Sequence, residues 1–101
     1  MAEKHARTLV QSPRFGKLKR KMHAKAQLAT DEAVKAIVAN PLIGDPKAGP
    51  LKGVSVYKVK VGPVQMLLAY QFDERRNVVE LLDVGPHENF YKDLKDYLDA
   101  R

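Results

Sequence analysis

Cysteine is absent from all 101 residues, which removes disulfides, zinc–thiolate centres and thiol catalysis together. No apolar run approaches the roughly 18 residues that a membrane-crossing helix needs. The opening stretch "MAEKHARTLV" has no apolar core of a secretory signal. These features are those expected of a cytoplasmic protein. No internal repeat and no low-complexity segment breaks the chain. There is no Gly-rich phosphate loop, no G-x-S-x-G elbow and no Walker signature. The three histidines, His5, His23 and His87, are scattered without metal-ligand spacing, so no metal site and no cofactor is expected.

What is present is an uneven charge. Residues 1–25 hold eight bases (Lys4, Arg7, Arg14, Lys17, Lys19, Arg20, Lys21, Lys25) against one acid, Glu3, a local charge of +7. The other 76 residues hold ten bases and eleven acids, a charge of −1. Such a segment suits a polyanion, either nucleic acid or an acidic protein, although a solvated helix face has the same look. With 45% apolar residues the chain has enough to bury a core, and its length fits one domain over 1–101.

The periodicity predicts the element order. Residues 6–12, "ARTLVQS", read as a strand. Ser12-Pro13 is a helix start, with Ser as N-cap and Pro in the first helical position. Phe15, Leu18 and Met22 then make one apolar stripe, a simple core face. "LATDEAVKAIVANP" (28–41) reads as a second helix, capped by Thr30 or Asp31, buried through Val34, Ile37 and Val38, and ended by Pro41. The break between the helices is expected near 27–30, making a helical hairpin. Residues 40–53 hold three Pro and three Gly and read as a loop.

From residue 54 the period becomes two. "VSVYKVKV" (54–61) alternates valines with Lys58 and Lys60, Gly62-Pro63 turns the chain, and "VQMLLAYQF" (64–72) reads as a central strand apolar on both faces. "DERRN" (73–77) is a hairpin loop, "VVELLDV" (78–84) a third strand of the meander, and "NFYKDLKDYL" (89–98) a closing helix. The expected fold class is α+β, in the order β-α-α-β-β-β-α. An antiparallel sheet would carry the two N-terminal helices on one face, leaving a polar second face that bears Lys58 and Lys60.

Two constellations carry possible chemistry. Lys58 and Lys60 project from one face of one strand, about 7 Å apart at their bases. That is close to a phosphate repeat, and lysine pairs of this kind bind phosphate and stabilise charge on it. The alternative is the solvated outside of a sheet. In "DVGPHENFY" (83–91), His87 and Tyr91 stand four residues apart, and share a face if the helix has begun by residue 87. Histidine suits proton transfer near neutral pH. Tyr91 would orient it, stack on a base or move a proton, but equally packs beside Phe90. Glu88 is a weaker base, and Asp83 is placed to orient His87. His5 and His23 have no evident partner.

Taken together, residues 34–94 resemble the RelE/ParE superfamily of type II toxins. The matching marks are Asn40-Pro41, Leu51-Lys52-Gly53, Tyr57-Lys58-Val59-Lys60, Tyr70-Gln71, Val84-Gly85, His87 and Tyr91. The resemblance implies a small fold like that of microbial ribonucleases. In one branch it implies metal-independent cleavage of mRNA at the ribosome, the 2′-hydroxyl attacking the adjacent phosphate. Carried across, Lys58 and Lys60 would hold the scissile phosphate. His87 would fall where one branch has a catalytic Arg and another a His in a G-S-H turn. Tyr91 would contact the mRNA base. Lys52, Arg75, Arg76, Lys17, Arg20 and Lys21 would contribute RNA contacts. An antitoxin would be the partner. One departure is visible: many RelE-like toxins have Arg in the second strand, as "YRLVY", where this chain has Leu67. Either another base substitutes, such as Lys52, Arg75 or Arg76, or the protein is a weak nuclease, or it belongs to the branch that inhibits DNA gyrase without cutting RNA; a further reading is an inactive member retained as a DNA-bound regulator.

Overall fold

The computed structural model describes residues 7–101. His5, Lys4, Glu3 and the first residue of the expected N-terminal strand lie outside the described residues. The α+β class and the expected sequence of helices and principal strands are those observed. The strands are β1 (Thr8–Gln11), β2 (Asp45–Pro46), β3 (Ser55–Val61), β4 (Val64–Asp73) and β5 (Val78–Pro86); the helices are α1 (Pro13–Arg20), α2 (Ala24–Ala39) and α3 (Phe90–Ala100). They form one sheet in the order β1-β5-β4-β3-β2. The meander β3-β4-β5 is antiparallel, while β1 runs parallel to β5, Thr8 opposite Val78, so the sheet is mixed.

Ser12 caps α1 as its sequence context requires. Its hydroxyl accepts the Phe15 N–H at 3.0 Å and donates to the Leu82 carbonyl at 2.9 Å, tying the helix start to the sheet. The break between α1 and α2 falls at Lys21–His23, earlier than the expected 27–30. Thr30 is therefore no cap; it is fully buried in mid-helix. Asp31 forms an ion pair with Lys19 rather than capping. Gln27 reaches back to the Lys19 and Met22 carbonyls at 3.0 and 3.1 Å and satisfies the open end of α1.

The sheet is covered on both faces. On one, Val59, Met66, Leu68, Tyr70, Val79, Leu81 and Val84 pack with Phe15 of α1 and Ala33 and Ile37 of α2. On the other, Val54, Val56, Leu67, Ala69 and Leu82 pack with Phe90 and Leu94 of α3. The second face is thus not polar throughout, as the strand pattern had implied. Tyr57, Val59 and Val61 turn toward α1 and α2, and Val54 and Val56 share the α3 side. A short turn of 3-10 helix, Gly49–Leu51, and the two-residue β2 add structure to the Gly/Pro loop.

Candidate functional site

Lys58 and Lys60 lie beyond the part of the sheet that α3 covers, and both are exposed. Register places them: Lys58 is opposite Leu67, which is opposite Gly85, and Lys60 is opposite Gln65. Two strand spacings separate Lys58 from Gly85, about 10 Å between backbones. The chain leaves β5 at Pro86, and His87 follows at once, exposed. The lysines and His87 therefore belong to the same end of the sheet, near the β3–β4 turn.

The helix has not begun at His87. Asn89 sits in the left-handed region at φ 59°, the Phe90 N–H bonds the His87 carbonyl, and α3 starts at Phe90. The rings of His87 and Tyr91 nevertheless meet edge to face, centroids 5.9 Å apart. The turn, not a helix face, brings them together. Phe90 meets Tyr91 edge to face at 5.5 Å. On the ring face of Tyr91 stands the ammonium of Lys47, 5.3 Å from the centroid. Sequence reasoning missed Lys47, because its loop has no periodicity and Tyr91 lies far along the chain. Its backbone N–H bonds the Val54 carbonyl at 2.9 Å, continuing the β2–β3 pairing.

The remaining candidates scatter. Arg75 and Arg76 are exposed in the β4–β5 turn, at the far end of β4 from His87. Lys52 is exposed beside the 3-10 turn, and Lys17 and Arg20 are surface residues of α1. Lys21 comes nearer: with Leu18, Met22 and His23 it lines a shallow hollow against Gly85 and Pro86. Leu67 is 1% exposed, sealed beneath α3 by Phe90 and Leu94.

Asp83 does not serve His87. It is buried, its carboxylate accepts the Val84 N–H at 2.9 Å, and Arg14 Nε stands 3.2 Å away. The two form an ion pair that ties α1 to β5. Burial raises the Asp83 pKa above its ordinary value, with Arg14 opposing in part. The Arg14 guanidinium also lies over the Tyr97 ring at 5.4 Å, which links α1 to α3. Among the described residues no cluster of His, Asp and Glu is arranged to hold a metal ion, and no helix is long and apolar enough to cross a membrane.

A family model described as ParE-like toxin of type II bacterial toxin–antitoxin systems matches residues 9–95. No curated protein matches the chain. Among solved structures, a chain of the intact E. coli RelBE toxin–antitoxin complex is 22% identical, covering 82% of this chain and 99% of that one, at a TM-score of 0.69. An arginine-to-alanine double mutant of E. coli RelE in the free state is 18% identical, covering 96% and 100%, at 0.74. A chain of the Mycobacterium tuberculosis RelBE2 complex is 21% identical, covering 82% and 100%, at 0.66. At these identities the likeness is one of fold.

Proposed function

This chain belongs to the ParE-like toxins of type II bacterial toxin–antitoxin systems, and on that footing we propose that it cuts messenger RNA at the ribosome in the cytoplasm, without a metal ion. The observation that carries this reading is that Lys58, Lys60 and His87 lie toward the same end of one sheet, with Tyr91 edge to face against His87. Lys58 and Lys60 hold the scissile phosphate and neutralise the charge that builds on it. The 2′-hydroxyl loses its proton and attacks phosphorus, and the bond to the 5′-oxygen breaks. The leaving oxygen takes a proton, giving a 2′,3′-cyclic phosphate and a 5′-hydroxyl. His87 gives that proton or accepts the first, and the exposed imidazole has room for either. Tyr91 positions the substrate. The basic surface of α1 meets ribosomal RNA or is masked by the antitoxin.

A cognate antitoxin is the protein partner in this reading. β2 pairs with β3 only at Ser55 and Val56, so the outer edge from Tyr57 to Val61 has no neighbouring strand among the described residues. It can accept an antitoxin strand, and a helix can lie on the toxin surface.

One observation favours a second reading, in which the protein inhibits DNA gyrase by contact alone. The resemblance places an arginine where Leu67 is sealed in apolar packing. The deciding experiment is induced expression of wild type and His87→Ala with mapping of mRNA 5′ ends. New ends that vanish in the variant support RNA cleavage. Toxicity without new ends, unchanged by the substitution, moves the reading to gyrase.

A further inference from the structure

We propose that Lys47 is a third phosphate-binding residue of this site, held in place by the ring of Tyr91; the inference rests on the RNA reading above. Three observations carry it. The first is charge left unmatched. Lys19, Lys35, Lys92 and Lys95 each have a carboxylate within ion-pair distance. Among the described residues no carboxylate lies within that distance of Lys47, Lys58 or Lys60. An electropositive surface without internal neutralisation is ready for an anion from outside.

The second is placement. Lys47 continues the β2–β3 ladder, its N–H on the Val54 carbonyl. Its half-buried side chain lies against Tyr91, and Tyr91 touches His87. Lys47, Tyr91 and His87 therefore form a continuous line of contacts. The third is what lies at the centre of this face. Leu67, flanked by Lys58 and Gly85, is apolar and sealed. Strand β4 supplies no cation there, so positive charge reaches the middle of the site only from side chains at its border. Lys47 stands beside Val54, four residues back along the chain from Lys58, and reaches the site through the Tyr91 ring, which touches His87. An ammonium held over a ring keeps donors free for a phosphate oxygen, and less rotamer freedom is lost when the anion arrives.

The arrangement also assigns Tyr91 a second task. One ring face carries Lys47, so a base stacks on Tyr91 only on the other face or by displacing the lysine.

The test is the salt dependence of binding to a single-stranded RNA oligonucleotide made uncleavable by 2′-O-methyl groups, using the full chain. Lys47→Gln should weaken binding roughly tenfold at low salt and lower the slope of log K against log salt by about 0.7, the share of one phosphate contact on a single strand. Lys47→Arg should restore most of that slope. In a Tyr91→Leu background the loss from Lys47→Gln should shrink, because the lysine is no longer held. Lys92→Gln, which removes an ion-paired lysine on α3, should leave the slope unchanged. An unchanged slope in Lys47→Gln beside a lowered slope in Lys58→Gln overturns this inference alone. Absence of salt-dependent binding by the wild type also overturns it, while the cleavage reading stands or falls separately on the 5′-end map.

Discussion

Tyr70 holds Gly44 from below. Its buried hydroxyl accepts the Gly44 N–H at 2.9 Å and donates to the Pro41 carbonyl at 2.6 Å. A central-strand side chain thereby pins the loop that leads into β2 and Lys47. Burial raises the tyrosine pKa, so the hydroxyl keeps its proton for the Pro41 bond. Tyr70→Phe leaves a buried carbonyl and a buried N–H unpartnered, and should cost about 1–3 kcal/mol. Urea unfolding will read this as a lower midpoint at unchanged slope. Gly44→Ala should also destabilise, because its Cβ would stand 2.8 Å from the Tyr70 hydroxyl.

Asp83 makes a prediction about acid. Its folded-state pKa lies above the ordinary 3.8, so its contribution to stability is fully present below that value. The contribution is lost as pH rises through the raised folded value. Relative to Asp83→Asn, which cannot ionise, the wild type should therefore lose stability as pH climbs from strongly acidic toward neutral. Paired urea titrations across that range will show it. The opposite slope would mean that the Arg14 ion pair outweighs burial.

Position on the sheet separates the basic residues. In the RNA-cleavage reading, Lys58→Gln and Lys60→Gln should each weaken RNA binding and slow cleavage, since both stand toward the His87 end. Arg75→Gln and Arg76→Gln, at the opposite end of β4, should leave both within about twofold of wild type, the ordinary scale of a neutral surface change. Oligonucleotide binding and cleavage of an mRNA substrate will separate the two pairs.

Leu67 offers a test of the cation that the family pattern leads one to expect. Leu67→Ala should cost about 2–5 kcal/mol as a buried truncation. Leu67→Arg should cost more, because it places a charge under Phe90 and Leu94, and it should loosen α3 rather than speed cleavage. Thermal unfolding and cleavage rates of the variant will distinguish a helix pushed off the sheet from a site improved.

Much of this architecture was legible because its signals are local. Ser12-Pro13 announces α1, and the alternation after residue 54 announces β3. The start of α2 was less legible. His23 makes no side-chain cap bond, and the turn ahead of it is closed by Gln27, whose partners lie earlier in the chain. The two-sided burial of β4 was readable from its unbroken apolar run. The side to which Lys58 belongs was not, since valines occupy both faces of β3. The i, i+4 spacing joins His87 and Tyr91 only on a shared helix face, but α3 starts at Phe90 and the two meet through the left-handed Asn89 instead. Lys47 on Tyr91 and Arg14 beside Asp83 join segments remote in sequence, and no local pattern records such pairs.

The parallel seating of β1 has a consequence in time. Thr8–Gln11 have their partners at Val78–Leu81, and Ser12 bonds a carbonyl 70 residues on. Pairings so distant form late and slow folding. During synthesis, which proceeds from the N-terminus, the first strand emerges long before its neighbour exists, and α3 is made after that neighbour. A growing chain therefore completes neither the sheet nor the His87–Tyr91 turn until residues 78–91 have been translated. In the reading proposed here, the toxin is assembled by the machine it attacks, and its own topology withholds the site until the residues that complete it have been made.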